Sequence, residues 1–129
     1  MNENKGTSRE VAVQERSFLF ACRIVKLYRW AARRGGAGEV LGRQVLRAGT
    51  SIGANLEEAT AAQSRADFVS KCNIALKEAR ETYYWIRLLM KTEVVTANKL
   101  KDLASESNEL VAILTAIVKK SRSRQRTTA

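Results

Sequence analysis

Two stretches of this chain set small and polar residues on helical spacing beside an apolar stripe, and that pattern restricts the fold more than any other feature. Residues 50–59 read TSIGANLEEA and residues 67–86 read DFVSKCNIALKEARETYYWI. At about 100° per residue, an apolar position returns to the same face every three to four residues in each stretch. Such an arc buries against another helix and does not alternate as a strand would. The 129 residues contain no proline, so nothing breaks long helices, and an all-α fold follows. A chain of this length buries one core.

The glycine run Gly35-Gly36-Ala37-Gly38 releases the chain from helical torsions. Ser64-x-x-Asp67 resembles a capping box with Asp in place of Glu, and Thr96 and Ser8 are further candidate caps. The spacing predicts helices over 9–34, 39–62, 64–91 and 97–120. A disordered N-terminus (1–8) and a basic disordered tail (121–129) flank them. Three short connections make neighbours antiparallel, giving an up-down-up-down four-helix bundle. The expected core stripes are Leu41, Val45, Ala48, Ile52, Leu56 and Ala59 on the second helix, and Phe68, Cys72, Ala75, Leu76, Ala79, Tyr83, Ile86 and Met90 on the third. Leu100, Leu103, Ser107, Leu110, Leu114 and Ile117 follow on the fourth. The first helix is apolar over a wider arc, with Phe18, Ala21, Cys22, Ile24, Val25 and Leu27.

Several functional classes are excluded or disfavoured. There is no histidine, which removes nucleophile–histidine catalysis and the Glu-x-x-His motif of di-iron bundles. Cys22 and Cys72 sit in apolar helical stripes without CxxC spacing and read as small hydrophobes rather than a disulfide or ligand pair. No metal or cofactor is expected. No apolar run reaches membrane-spanning length and MNENKGTSRE lacks a signal-peptide core, so the expectation is a cytoplasmic protein with no membrane partner. Glu57, Glu58, Glu78 and Glu81 could converge as paired carboxylates, but a packing role is available for them, and no enzyme is expected.

That packing role is a polar network at the edge of the core. Gln44, Ser51, Asn55 and Glu58 form a strip along one edge of the second helix, and Glu78 and Glu81 do so on the third. Polar groups at a core boundary need partners, so the two strips are expected to meet, with Arg47 or Arg80 supplying counter-charge. Gly49 and Gly53, four apart, would let a neighbouring backbone come close.

Gln44-x-x-Arg47-x-x-x-Ser51-Ile52-x-x-Asn55-x-x-Glu58-Ala59 is similar to the second-helix motif of the ribosomal-RNA intervening-sequence protein family. Asp67-Phe68, Ala75, Glu78, Glu81-Thr82 and Tyr84-Trp85 look like its third-helix motif. The resemblance spans about residues 16–118. It implies a four-helix bundle assembled as a homo-oligomeric ring, a pentamer. It also implies kinship with the accessory protein of diversity-generating retroelements, which binds nucleic acid and a reverse transcriptase. The motif residues would serve packing and assembly, so the resemblance carries over no catalytic role.

The net charge of +10 is uneven. Residues 1–34 hold eight basic and three acidic side chains, residues 35–118 hold ten of each, and residues 119–129 hold five basic and none acidic. Arg9, Arg16, Arg23 and Arg34 fall within about 40° on a helical wheel, and Lys26 and Arg33 widen the strip. In an antiparallel bundle, Lys119, Lys120, Arg122, Arg124 and Arg126 would extend it. A concentrated basic surface is the electrostatic footprint of a polyanion, with RNA favoured. Backbone-dominated binding is expected, and base stacking is not, because the tail holds no aromatic residue. The charge pattern points to a non-catalytic protein that binds RNA or DNA, and the resemblance implies an oligomeric accessory role as a scaffold for a reverse transcriptase and its RNA. The alternative is an adaptor whose basic surface meets an acidic partner protein.

Overall fold

A computed structural model describes residues 8–128, with side chains described through Arg124. Four helices follow one another: α1 (Ser8–Ala32), α2 (Gly36–Thr60), α3 (Arg65–Lys91) and α4 (Ala97–Thr128). Consecutive helices pack along their lengths, while α1 and α4 touch more sparingly and close the bundle through a looser seam. The expected all-α bundle is what forms.

The ends follow local chemistry. Gly35 and Gly36 both take positive φ, +66° and +49°, where a side chain would be strained, and α2 starts at Gly36, three residues before the expected Glu39. Ser64 is the N-cap of α3, and its Oγ accepts the Asp67 N–H at 3.1 Å. Between α3 and α4 the reversal falls on Glu93, a non-glycine residue at φ +58°. The fourth helix runs to Thr128, past the Lys120 end expected for it, so residues 121–128 continue the helix rather than forming a disordered tail. No proline or glycine interrupts that segment, and Ser121 remains buried. The N-terminal stretch expected to be disordered, residues 1–8, lies outside the described residues apart from Ser8.

The core joins one stripe from each helix: Phe20 and Ile24, Val45 and Ile52, Ala75 and Ile86, Leu110 and Leu114 are at most 1 % exposed. Two expectations for α1 are corrected. Phe18 is 62 % exposed and Cys22 is exposed, whereas Cys72 is buried, and burial pushes its thiol up to about 12. A four-helix interior takes one stripe per helix, so the wide apolar arc of α1 leaves Val11, Phe18, Leu19 and Cys22 on its outer side.

The α1–α2 contact depends on small residues. A Cβ on Gly53 would stand 3.5 Å from the backbone of Ser17, the close backbone approach that the spacing of Gly49 and Gly53 predicts. At Gly49 it would fall 2.8 Å from Ile24 Cγ1.

The polar network is a further correction. Ser51 Oγ donates to the Arg47 carbonyl at 2.6 Å and Asn55 Nδ2 to the Ser51 carbonyl at 2.8 Å, both within α2, so neither reaches the α3 carboxylates. Their own backbone carbonyls, one turn back, are nearer than the facing helix. Arg47 supplies the expected counter-charge, donating to Glu81 and standing 3.5 Å from Glu78 Oε2. That oxygen is buried at ion-pair distance without a hydrogen bond. Burial raises the Glu78 carboxyl above its ordinary value, with Arg47 pulling the other way. Gln44 is half-buried and Glu58 exposed on the same side of α2.

Ser17 and Ser107 are fully buried, and neither hydroxyl has a hydrogen-bond partner. An unpaired buried hydroxyl costs stability, and alanine is also the better helix former. Ser107→Ala should therefore raise the unfolding free energy by about 1 kcal/mol, read from the urea midpoint. A lower midpoint would reveal a partner for that hydroxyl, such as an internal water.

Candidate nucleic-acid interface

Most of the basic strip is exposed: Arg9, Arg23 and Lys26 on α1, and Arg33 and Arg34 just beyond its end, with only Arg16 half-buried. Arg9, Arg16 and Arg23 lie along the loose α1–α4 seam, because the wheel position they share borders the core stripe on the α4 side. The seam has three parts.

In the middle, Arg16 is tied down. Its Nε donates to Glu106 Oε2 at 3.0 Å and its Nη2 to Glu106 Oε1 at 2.6 Å, with Glu109 Oε2 at 3.5 Å. The Arg16 hydrogen bonds hold the Glu106 carboxyl below its ordinary value against the opposing effect of burial. The guanidinium is held above its own by the same contact. This two-point pair fixes α1 to α4 where apolar packing is thin. Arg16 is thus a structural cation, and reversing its charge would set it against Glu106 and Glu109.

Toward the end that carries the chain's N-terminal segment, Arg9, Lys120 and Arg124 border a cleft of about 280 Å³ with Ser8, Glu10 and Ile117. Part of the expected extension by α4 is therefore present. Lys119 and Arg122 are exposed but sit 100° and more around α4 from Lys120. Glu10 contributes negative charge at this end. Arg126 lies outside the described side chains.

At the opposite end, Arg23, Lys26 and Leu27 of α1 face Lys99 and Leu103 of α4 across a cleft of about 420 Å³ that includes Trp30. The Arg34 guanidinium lies 3.6 Å from the centre of the Trp30 ring, and the Lys99 ammonium 4.7 Å from it. Such cation–aromatic contacts contribute about 0.5–1 kcal/mol each at exposed sites. Among the described residues, no acidic side chain lines this cleft. Arg33 is exposed just beyond the end of α1.

The sequence reading missed Trp30 and Lys99 as members of the site. Trp30 was legible, since it sits about 20° from Arg23 on the wheel. Lys99 follows from the antiparallel register, which brings the start of α4 beside the end of α1.

A larger hollow of about 570 Å³ near the α3–α4 turn is lined by Tyr84, Arg87, Leu88, Met90, Lys91 and Ala97. It is open and apolar, and no set of polar groups converges on it. Among the described residues, no group of three or more His, Cys, Asp or Glu could hold a metal ion, and no helix is long and apolar enough to cross a membrane.

A family model described as 23S rRNA-intervening sequence protein matches residues 9–116. A crystal structure of a protein of unknown function from the S23 ribosomal protein family of Bacteroides thetaiotaomicron is similar, with a TM-score of 0.79 and 44 % sequence identity. The match covers 86 % of this chain and 98 % of that one. No curated protein matches.

Proposed function

Because this chain belongs to the family of 23S rRNA-intervening sequence proteins, we propose that it is a non-catalytic nucleic-acid-binding accessory protein that acts as an oligomer, with RNA its first partner. The observation that carries this reading is the α1–α4 seam, where Arg23, Lys26, Arg34 and Lys99 gather at one end and Arg9, Lys120 and Arg124 at the other. Phosphates are the natural counter-charge for such rows of arginine and lysine, and arginine's planar fork donates two hydrogen bonds at once. In this role the bundle is a scaffold that holds RNA beside a polymerase such as a reverse transcriptase. The exposed outer face of α1, with Phe18 and Leu19, supports self-association, and a closed ring would repeat the seam on every subunit.

The test is a salt titration of nuclease-treated protein against labelled single-stranded RNA, duplex RNA and DNA, followed by fluorescence anisotropy. If about four phosphates are neutralised, log Kd should change with log salt by about 3 units per decade for single strands. No binding at low salt, or affinity indifferent to salt, would discard the reading and leave an adaptor for an acidic protein in its place.

A further inference from the structure

We propose that the cleft between the end of α1 and the start of α4 is a binding site for an unpaired nucleotide of a single-stranded nucleic acid, stacked at Trp30 with its flanking phosphates held by Arg23, Lys26, Arg34 and Lys99. This deepens the nucleic-acid reading and rests on it.

Four observations converge. The cleft is large enough for a nucleobase, at about 420 Å³. Its floor is apolar, formed by Leu27, Val95 and Leu103, and a flat base can cover such a floor. Trp30 is only partly buried, so its ring is neither consumed by the core nor fully in solvent. Two cations, Arg34 and Lys99, lie over the ring, Arg23 and Lys26 line the same cleft, and no carboxylate is among its described lining residues. An aromatic plane beside phosphate-binding cations is the arrangement by which proteins hold single strands without reading sequence.

The placement also defines what enters. A base inside a duplex is stacked on both faces and cannot reach into a cleft between two helices, so a duplex would meet chiefly the rim cations. The Lys99 ammonium, over the ring but on a flexible stem, is the group that an incoming base displaces, and it stays close enough to meet the phosphate. Arg34, nearest the ring, extends the stacking surface with its planar guanidinium. The rim cations are open to the phosphates of either form, so a preference for single strands is the signature of the stacking cleft.

The experiment uses the full chain labelled with 5-fluorotryptophan. Only Trp30 and Trp85 carry the label, and Trp30→Phe assigns the two fluorine resonances. The probes are an oligouridylate of about 12 nucleotides, within the range one small domain covers, a duplex RNA of the same length, and an oligoglutamate. The expected result is a shift of the Trp30 resonance with oligouridylate but not with the duplex or the oligoglutamate. Trp30→Leu should weaken oligouridylate binding about tenfold and duplex binding much less. If that variant fails to fold, the wild-type resonances still decide the matter. Oligouridylate that binds without moving Trp30 would overturn the stacking site and spare the broader reading. Failure of both nucleic acids to bind would overturn both. A Trp30 shift with oligoglutamate as large as with oligouridylate would make the cleft a site for acidic protein segments and overturn the proposal.

Discussion

Replacing Arg23 and Lys99 together with glutamate should weaken binding to single-stranded RNA about 100-fold at physiological salt and leave the melting temperature nearly unchanged. Each side chain is exposed, so folding depends little on it. Binding depends on both, because they face each other across one cleft and a phosphate between them loses two attractions and gains two repulsions. The salt dependence should also flatten by about 0.7 of a unit of slope for each phosphate contact removed. Lys101 and Lys119 give the control. They lie five helical turns apart on one side of α4, well around the helix from Lys99, and reversing them changes net charge by the same amount. Equal losses from both pairs would mean that overall charge, rather than the seam, governs binding. Arg16 is unsuited to such a test, since its reversal removes the two-point pair with Glu106 and confounds binding with stability.

Gly49→Leu should destabilise the bundle by about 3 kcal/mol or more, measured by chemical denaturation. A Cβ at Gly49 would stand 2.8 Å from Ile24 Cγ1, 2.9 Å from Cγ2 and 3.1 Å from Cδ1. Ile24 is fully buried and branched at Cβ, so it has no second rotamer into which to withdraw. The helices must then separate, and α1 has little else to hold it, because its seam with α4 is loose. Gly49→Ala in an Ile24→Ala background should cost less than the two single changes added together, since the smaller side chain makes room for the methyl group. Additive losses, or a stable Gly49→Leu protein, would show that α1 is free to shift. Leu110→Ala provides the scale: truncating a fully buried leucine costs about 2–5 kcal/mol.

The helices were legible because their signals are local. Gly35 and Gly36 mark the first turn, Ser64 the second, and the stripes of α2, α3 and α4 repeat at the helical period. The polar strips were legible as strips but not as partners. Ser51 and Asn55 had backbone carbonyls within reach one turn away, so the contact between α2 and α3 fell to the longer Arg47 side chain. The far end of α4 was misjudged from composition, since a basic polar segment reads as solvated whether it is coiled or helical.

The sequence alone determined that this chain is a four-helix bundle of the intervening-sequence family and that its excess positive charge lies at its two ends, because periodicity, turn residues and charge counts are properties of the chain itself. Tertiary structure alone decided which of those charges act together. The pairing of Arg16 with Glu106, the meeting of Arg9 with Lys120 and the cleft joining Arg23, Trp30 and Lys99 link residues about 70 to 110 positions apart. Such contacts depend on the rotation of α1 and α4 about their own axes and on their register across the seam. Those variables are set by packing, with Ile24 against Gly49 and Ser17 against Gly53, and not by any local preference of the backbone.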